Sequence, residues 1–185
     1  MEDVRSGRRD YVSLDLLHRE SLTTLLQRHD VPPLAPHEIE HLVCIWHSFT
    51  PWSDTVEGLY RLKRRYITGT LSNGNIGLMT RLSKHAGLPW DVILGAEVVG
   101  NYKPLPEVYL GSADALNLEP RECMLVAAHN DDLAAASDVG YRTAFVLRPT
   151  EYGSRQSSNT AATSAWDIVT DSFHGLADAL GCPRY

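Results

Sequence analysis

The chain has 185 residues, of which 43% are hydrophobic and 22% charged, and its formal net charge is −6. These values are typical of one soluble globular domain with at most a small appendage. The three cysteines lie far apart, which excludes a disulfide framework or a CxxC metal motif and favours a reducing compartment. The acidic balance argues against a nucleic-acid partner, and no apolar run is long enough for a membrane span. We therefore predict a cytoplasmic protein that binds neither membranes nor nucleic acids.

The first fifty residues are predicted to be helical. Leucines between residues 14 and 26 recur at a spacing near 3.6, which indicates a helix with one apolar face. Pro32 and Pro33 end that helix, and a second helix is expected to begin near Pro36. Both helices precede any convincing strand. We therefore predict that residues 1–50 form a helical unit of their own.

From residue 51 onward, helices and strands alternate along the chain. The predicted strands are 66–71, 92–94, 124–128, 143–147 and 168–169, and the predicted helices are 53–65, 76–85, 106–116, 131–139 and 173–180. Residues 153–164 are polar and predicted to be a loop. Such alternation is typical of an α/β fold with a parallel sheet and helices on both faces. We assign residues 51–185 to this Rossmann-like unit.

Three polar clusters follow the predicted strands or open the helices behind them, where ligands of parallel sheets usually bind. The first is Thr70 to Asn75, with hydroxyl and amide side chains at a strand-to-helix turn. The second contains Lys103 and Tyr109, where prolines stiffen the chain before a helix. The third is His129 to Asp132, which ends in two adjacent carboxylates. Each cluster, taken alone, is equally well explained by helix capping or by solvated surface residues.

Together these clusters resemble motifs of the haloacid dehalogenase superfamily, type II branch. The matching segments are Leu71–Gly74, Tyr102–Tyr109, Ala127–Leu133 and Arg148–Gly153, in this order. The resemblance implies a Rossmann-like core with a strand order near 5-4-1-2-3 and a helical cap inserted after the first strand. Residues 1–50 would then be the later part of that cap.

The resemblance also implies a reaction and a role for each site residue. In the family, an aspartate displaces halide from C2 of a small 2-haloacid, and water hydrolyses the resulting ester. Ser72 and Asn73 would hold the substrate carboxylate. Tyr109 would support the side of the site on which Lys103 lies. Lys103 would position and neutralise the nucleophile. Asn130 would bind near the nucleophile, and Asp131 or Asp132 would orient Lys103 or the hydrolytic water. Ala128 stands where some dehalogenases carry a serine.

One family motif is absent from this sequence. The nucleophile belongs to an Asp-x-Tyr-Gly-Thr or Asp-x-Asp-Gly-Thr turn after the first strand, and neither turn occurs here. Asp15 has neither the glycine nor the threonine of that turn after it. Arg5, Arg8 and Arg9 cannot be assigned to the substrate-binding arginine of the cap. We expect a truncated, weakly active or inactive chain whose core lacks its first strand. Loss of the first strand, which lies between the strands that carry Ser72 and Asn130, would leave a gap of about 10 Å or force those two strands to pair with each other.

Two other functions remain open at this point. The adjacent carboxylates Asp131 and Asp132 also suit a Mg-dependent phosphatase of the same superfamily, whereas the dehalogenase needs no cofactor or metal. The missing nucleophile motif favours a non-catalytic remnant that binds small acids or a partner protein. A zinc site at the HExxH sequence His37–His41 is disfavoured because no third ligand stands at a suitable spacing. The expected ligand is a small-molecule acid, and a homodimer is left open.

Overall fold

The computed structural model describes residues 1–184, so that Tyr185, the last residue of the predicted second unit, lies outside the described part. Helices precede the first strand, as predicted: α1 (Glu2–Arg5), α2 (Leu14–Arg28) and α3 (Pro36–Val43), followed by a 3₁₀ helix at Cys44–Ser48. The Ser13 hydroxyl caps α2 by accepting a hydrogen bond from the Leu16 N–H at 3.4 Å. The apolar face predicted for α2 is not fully covered, because no residue of this helix is buried.

The remainder of the chain alternates between helices and strands close to the predicted positions. The elements are α4 (Thr55–Leu62), β1 (Gly69–Leu71), α5 (Ile76–Ala86), β2 (Val92–Leu94), α6 (Pro106–Asp114), β3 (Met124–Ala127), α7 (Asn130–Asp138), β4 (Arg142–Val146), β5 (Ile168–Thr170) and α8 (Phe173–Ala179). Local signals set several boundaries. Pro106 opens α6, and Gly87 ends α5 in the left-handed conformation at φ 66°.

All strand pairs are parallel, which confirms the predicted α/β fold class. Within residues 1–184, β1 pairs with β2, and a second sheet has the order β3-β4-β5. Alternate residues of β3 enter different apolar clusters. Met124 and Val126 pack with Leu59 of α4 and Leu176 of α8, while Leu125 packs with a cluster on the other face. Because side chains alternate across a strand, this pattern shows that helices cover both faces of the sheet.

The two sheets do not join between β1 and β3. The sequence left two outcomes open, a gap between these strands or a new pairing between them. No hydrogen-bonded pairing links β1 and β3 within residues 1–184, so the new pairing does not occur. The ends of the two strands nevertheless lie near one apolar cluster, since Leu71 of β1 and Leu125 of β3 both pack in it. The carboxyl ends of β1 and β3 therefore carry their polar loops into the same region of the molecule.

In the described part of the chain, no helix is long and apolar enough to cross a membrane.

Candidate active site

Lys103, Tyr109 and Asp132 form one hydrogen-bonded cluster. Lys103 lies just before α6, Tyr109 lies in the first turn of α6, and Asp132 lies in the first turn of α7. The Lys103 Nζ donates to Asp132 Oδ2 at 2.5 Å, and the Tyr109 hydroxyl donates to Asp132 Oδ1 at 2.6 Å. Both charged side chains are only 16% exposed. The carboxylate of Asp132 thus has both oxygens engaged, and its chemical role is to hold the lysine and the tyrosine in place.

Electrostatics keep the Tyr109 hydroxyl protonated. Burial raises the pKa of this phenol far above its ordinary value, and the hydrogen bond to the Asp132 carboxylate raises it further. Tyr109 is fully buried, so the ring has no freedom to turn away from its partner. The hydroxyl is therefore a fixed hydrogen-bond donor, which leaves Lys103 as the cation of the cluster.

The loop after β1 is tied directly to the lysine segment. The Lys103 N–H donates to Asn73 Oδ1 at 2.7 Å, and Asn73 Nδ2 donates to the Lys103 carbonyl at 3.4 Å. The neighbouring Ser72 hydroxyl oxygen accepts a hydrogen bond from the Gly74 N–H at 3.0 Å, so its own proton stays available to a ligand. The structure thus brings Ser72, Asn73, Lys103, Tyr109 and Asp132 together from three separate sequence motifs.

Asn130 and Asp131, two further residues selected from the sequence, take other positions. The Asn130 amide nitrogen donates to Asn159 Oδ1 and to the Ala161 carbonyl, and its oxygen accepts from the Trp166 indole. Asn130 therefore fastens the loop that precedes β5 and has no hydrogen bond to Lys103. Asp131 is exposed, whereas Asp132, the next residue along α7, is turned toward Lys103. A helix rotates about 100° per residue, so only one of two adjacent carboxylates can face the cluster.

The structure adds Arg5 to the cluster, which sequence reasoning did not assign. Its guanidinium Nη2 donates to the Lys103 carbonyl, 98 residues away in the chain. Val4, its neighbour in α1, is buried against Ala96 and Tyr102, and this packing holds the short helix beside the lysine segment. Nothing in the local sequence distinguishes Arg5 from Arg8 and Arg9, because the contact depends on packing between distant segments.

The structure also shows a contact of His129, at the start of α7, that the sequence did not predict. His129 Nε2 is 3.0 Å from Glu151 Oε2 and 3.2 Å from the Tyr152 hydroxyl oxygen, and its ring stacks on Tyr152. Burial, followed by the charges of Glu151 and Asp131, raises the pKa of Tyr152. His129 therefore ties the Arg148–Gly153 motif to the end of β3. The order of motifs along the sequence placed both segments in one family pattern but did not indicate this contact.

The HExxH sequence has a structural explanation. Glu38 Oε2 accepts a hydrogen bond from the Ala35 N–H at 2.7 Å, which caps the start of α3. His37 and His41 are exposed. Among residues 1–184, no group of three histidine, cysteine or acidic side chains could hold a metal ion.

Comparison with known proteins places these motifs in a family. A family model described as haloacid dehalogenase-like hydrolase matches residues 2–140, three quarters of the chain. The chain belongs to the haloacid dehalogenase-like hydrolase family. This membership confirms the resemblance to the haloacid dehalogenase superfamily that the sequence motifs predicted. The residues of the Lys103 cluster lie within the matched range.

Solved structures and curated relatives of this family resemble the chain to different extents. A defluorinating L-2-haloacid dehalogenase is 45% identical, with a TM-score of 0.96 over 98% of this chain and 75% of its own. The (S)-2-haloacid dehalogenase 4A of Burkholderia cepacia is 31% identical over 61% of this chain and 52% of its own length. A phosphoglycolate phosphatase of Salmonella paratyphi A is 32% identical over 51% of this chain and 36% of its own length. The chain thus spans about half or less of the curated relatives it matches.

Proposed function

We propose that this chain carries the binding and positioning residues of a 2-haloacid dehalogenase, a hydrolase that replaces the halogen at C2 of a small acid by a hydroxyl group, and that the chain by itself is weakly active or inactive. The observation that carries the proposal is the Lys103–Asp132–Tyr109 cluster, tied by Asn73 to the loop after β1. It occurs in a chain that is 45% identical to a defluorinating L-2-haloacid dehalogenase over nearly its whole length. The substrate would be a small 2-haloacid.

The proposed reaction has two steps. A carboxylate attacks C2, the carbon–halogen bond breaks, and halide leaves with the bonding electron pair. Water then hydrolyses the ester, which releases a 2-hydroxy acid and returns the carboxylate. Lys103 stabilises the attacking carboxylate by its charge, since an opposite charge within about 4–6 Å favours the ionised form. The Ser72 hydroxyl donates to the substrate, while Asn73 holds the backbone of Lys103 in register. The sequence contains no Asp-x-Tyr-Gly-Thr turn, and Asp132 is already paired, so these residues supply binding and positioning.

A Mg-dependent phosphatase is the second candidate, supported by the similarity to phosphoglycolate phosphatase. The donor set fits this function less well. Magnesium binds oxygen ligands in near-octahedral geometry, usually through one or two carboxylates that are free to coordinate it. Both oxygens of Asp132 accept hydrogen bonds from Lys103 and Tyr109, and Asp131 is exposed. We therefore derive no step through a metal for this chain.

The test is an assay of the chain with 2-chloropropionate, in which substrate binding and halide release are measured separately. We expect saturable binding and turnover far below the 1 s⁻¹ or more of ordinary enzymes, because positioning groups alone do not displace halide. Lys103→Ala should abolish the binding, whereas Lys84→Ala, on the exposed side of α5, should leave it unchanged. A chain that carries an added strand ending in Asp-x-Tyr-Gly-Thr should gain stability and release halide.

Three results would contradict the proposal. Binding that survives Lys103→Ala would show that the cluster does not recognise the acid. Halide release that EDTA abolishes in the strand-bearing chain would favour the phosphatase, as would hydrolysis of a phosphate monoester with added magnesium. Absence of both binding and turnover in every form would favour the non-catalytic remnant.

A further inference from the structure

An apolar groove of about 300 Å³ lies between residues 49–55, the end of α5 and the start of α8. None of the residues of the Lys103 cluster lines it. Its walls are formed mainly by aromatic and aliphatic side chains, namely Phe49, Trp52, Phe173, Leu82 and Leu88. Phe49 and Trp52 are 45% and 41% exposed, so these two rings remain partly open to water. Small-molecule pockets have this composition, with mostly apolar walls and a few polar groups that orient the ligand.

Arg148 is the charged group that lines this groove, and it is almost fully buried. The residue as a whole is 8% exposed, and its side chain keeps 10% of its surface accessible. The guanidinium carbon Cζ lies 5.0 Å from the centroid of the Trp52 ring and 5.7 Å from that of the Phe173 ring. Because both rings belong to the wall of the groove, they hold the guanidinium against the apolar surface on which a ligand would lie.

Hydrogen bonds within the protein use only one of the three guanidinium nitrogens. The Arg148 Nη2 donates to Asp54 Oδ2 at 3.0 Å, whereas Nε and Nη1 have no hydrogen-bond partner within residues 1–184. Neither atom is among the fully enclosed side-chain nitrogens that lack a partner in that range, so both remain accessible from outside the protein. An arginine side chain has five N–H donors and keeps its charge in proteins. The groove therefore contains a buried cation with free hydrogen-bond donors.

The carboxylate of Asp54 does not prevent an anion from binding beside Arg148. Its Oδ2 already accepts hydrogen bonds from Arg148 and from the Phe173 N–H, the latter at 2.7 Å. Asp54 also directly precedes α4, and the partial positive charge at the start of this helix offsets part of its negative charge. A ligand carboxylate can therefore accept a hydrogen bond from Nη1 while Asp54 keeps Nη2. Thr55, the first residue of α4, lines the same groove and adds a hydroxyl that has no partner within residues 1–184.

We propose that this groove binds a small aromatic carboxylate of the size of phenylacetate. The carboxylate accepts a charge-assisted hydrogen bond from Arg148 Nη1, and the ring of the ligand packs against Phe49 and Trp52. A short aliphatic acid leaves the aromatic walls open to water, and a neutral aromatic molecule leaves the cation without an anion. Binding in this groove requires no turnover and no residue of the Lys103 cluster, so it is independent of the proposed dehalogenation.

The test is a titration of the full chain with phenylacetate at pH 7, followed by the NMR signals of the Trp52 indole and the Arg148 side chain. We expect saturable shifts at both side chains with a dissociation constant on the order of 1 mM. Phenylacetamide, which has the same shape without the charge, should bind at least ~5-fold more weakly because it forms no charge-assisted hydrogen bond. Acetate should bind at least ~10-fold more weakly because it buries no aromatic ring.

Matched variants decide whether the ligand occupies this groove. Ala86→Phe adds a ring at a residue that lines the groove, so it should weaken phenylacetate binding at least ~10-fold by filling the space of the ligand. His85→Phe adds the same ring at the preceding residue, which is exposed and does not line the groove, and should change binding less than about twofold. Arg148→Gln combined with Asp54→Asn removes both charges together and should bind phenylacetate and phenylacetamide with affinities within about twofold of each other. If this double variant is unstable, the comparison of the two ligands in the parent chain still tests the role of the charge.

Any of four results would overturn the proposal. Absence of saturable shifts with phenylacetate would exclude the site altogether. Phenylacetamide binding as tight as that of phenylacetate would show that Arg148 does not recognise a carboxylate. Equal affinities of Ala86→Phe and His85→Phe would place the ligand outside the groove. Displacement of phenylacetate by 2-chloropropionate, with shifts confined to the Ser72–Asn75 loop and Lys103, would place it in the other site.

Discussion

Replacing Lys103 by methionine should destabilise the protein substantially, because it leaves Asp132 as a poorly hydrated carboxylate without its cation. Both side chains are 16% exposed, and the N–O distance is 2.5 Å. Removing one partner of a fully buried pair costs about 3–5 kcal/mol. Here the Tyr109 hydroxyl continues to donate to the carboxylate, and some exposure remains, so we expect a loss of about 2–3 kcal/mol.

The measurement is urea unfolding at pH 7, compared with the matched variant Lys63→Met. Lys63 pairs with Asp91 at 3.0 Å, but these side chains are 29% and 33% exposed, and an ion pair of this kind contributes about 0–1 kcal/mol. For a chain of this size, the urea midpoint of Lys103→Met should fall by about 1 M, and that of Lys63→Met by less than half as much. Methionine retains most of the aliphatic stem, so lost packing contributes little to the difference.

A double variant separates the pair from other effects of the substitution. Lys103→Met combined with Asp132→Asn removes the stranded charge and should recover part of the lost stability, giving a coupling energy above about 0.5 kcal/mol. Equal midpoints for Lys103→Met and Lys63→Met would refute the reasoning, because Asp132 would then be hydrated rather than held by the cluster. A fully additive double variant would lead to the same conclusion.

Three further predictions concern the framework around the site. Burial acts to raise the pKa of Asp54, but hydrogen bonds from the Phe173 N–H and the Arg148 guanidinium outweigh it and hold this pKa below its ordinary 3.8. The ionised carboxylate therefore stabilises the fold above about pH 4, and this stabilisation is lost as the pH falls through the lowered pKa. Asp54→Asn should therefore cost about 1–3 kcal/mol in urea unfolding at pH 7, and the difference from the parent should shrink below about pH 4; an unchanged difference at pH 3 would contradict this assignment. A Cβ at Gly58 would lie 2.4 Å from the Phe173 Cβ, so Gly58→Ala should lower the melting temperature, whereas Gly77→Ala, with only ordinary contacts, should raise it slightly. Asn130→Ala should speed amide exchange in the loop that precedes β5 without a comparable effect on β3, and unchanged exchange there would show that other contacts hold the loop.

The sequence by itself determined the order and type of the elements and the segments that carry polar chemistry. These features depend on local rules: apolar residues repeat with the period of the element, Pro106 opens a helix, and Gly87 ends one. The strand-end clusters were also visible, because polar residues there interrupt otherwise apolar runs. The family pattern followed from the order of these segments along the chain.

Only the tertiary structure decided which polar side chains meet. Asp131 and Asp132 are equivalent in sequence, but the rotation of α7 turns one to solvent and the other to Lys103. Asn130 binds a distant loop instead, and Arg5 reaches the Lys103 carbonyl from the N-terminal segment, 98 residues away. Such choices depend on how helices pack and on which donor lies within about 3 Å of an acceptor, and no local pattern encodes these distances.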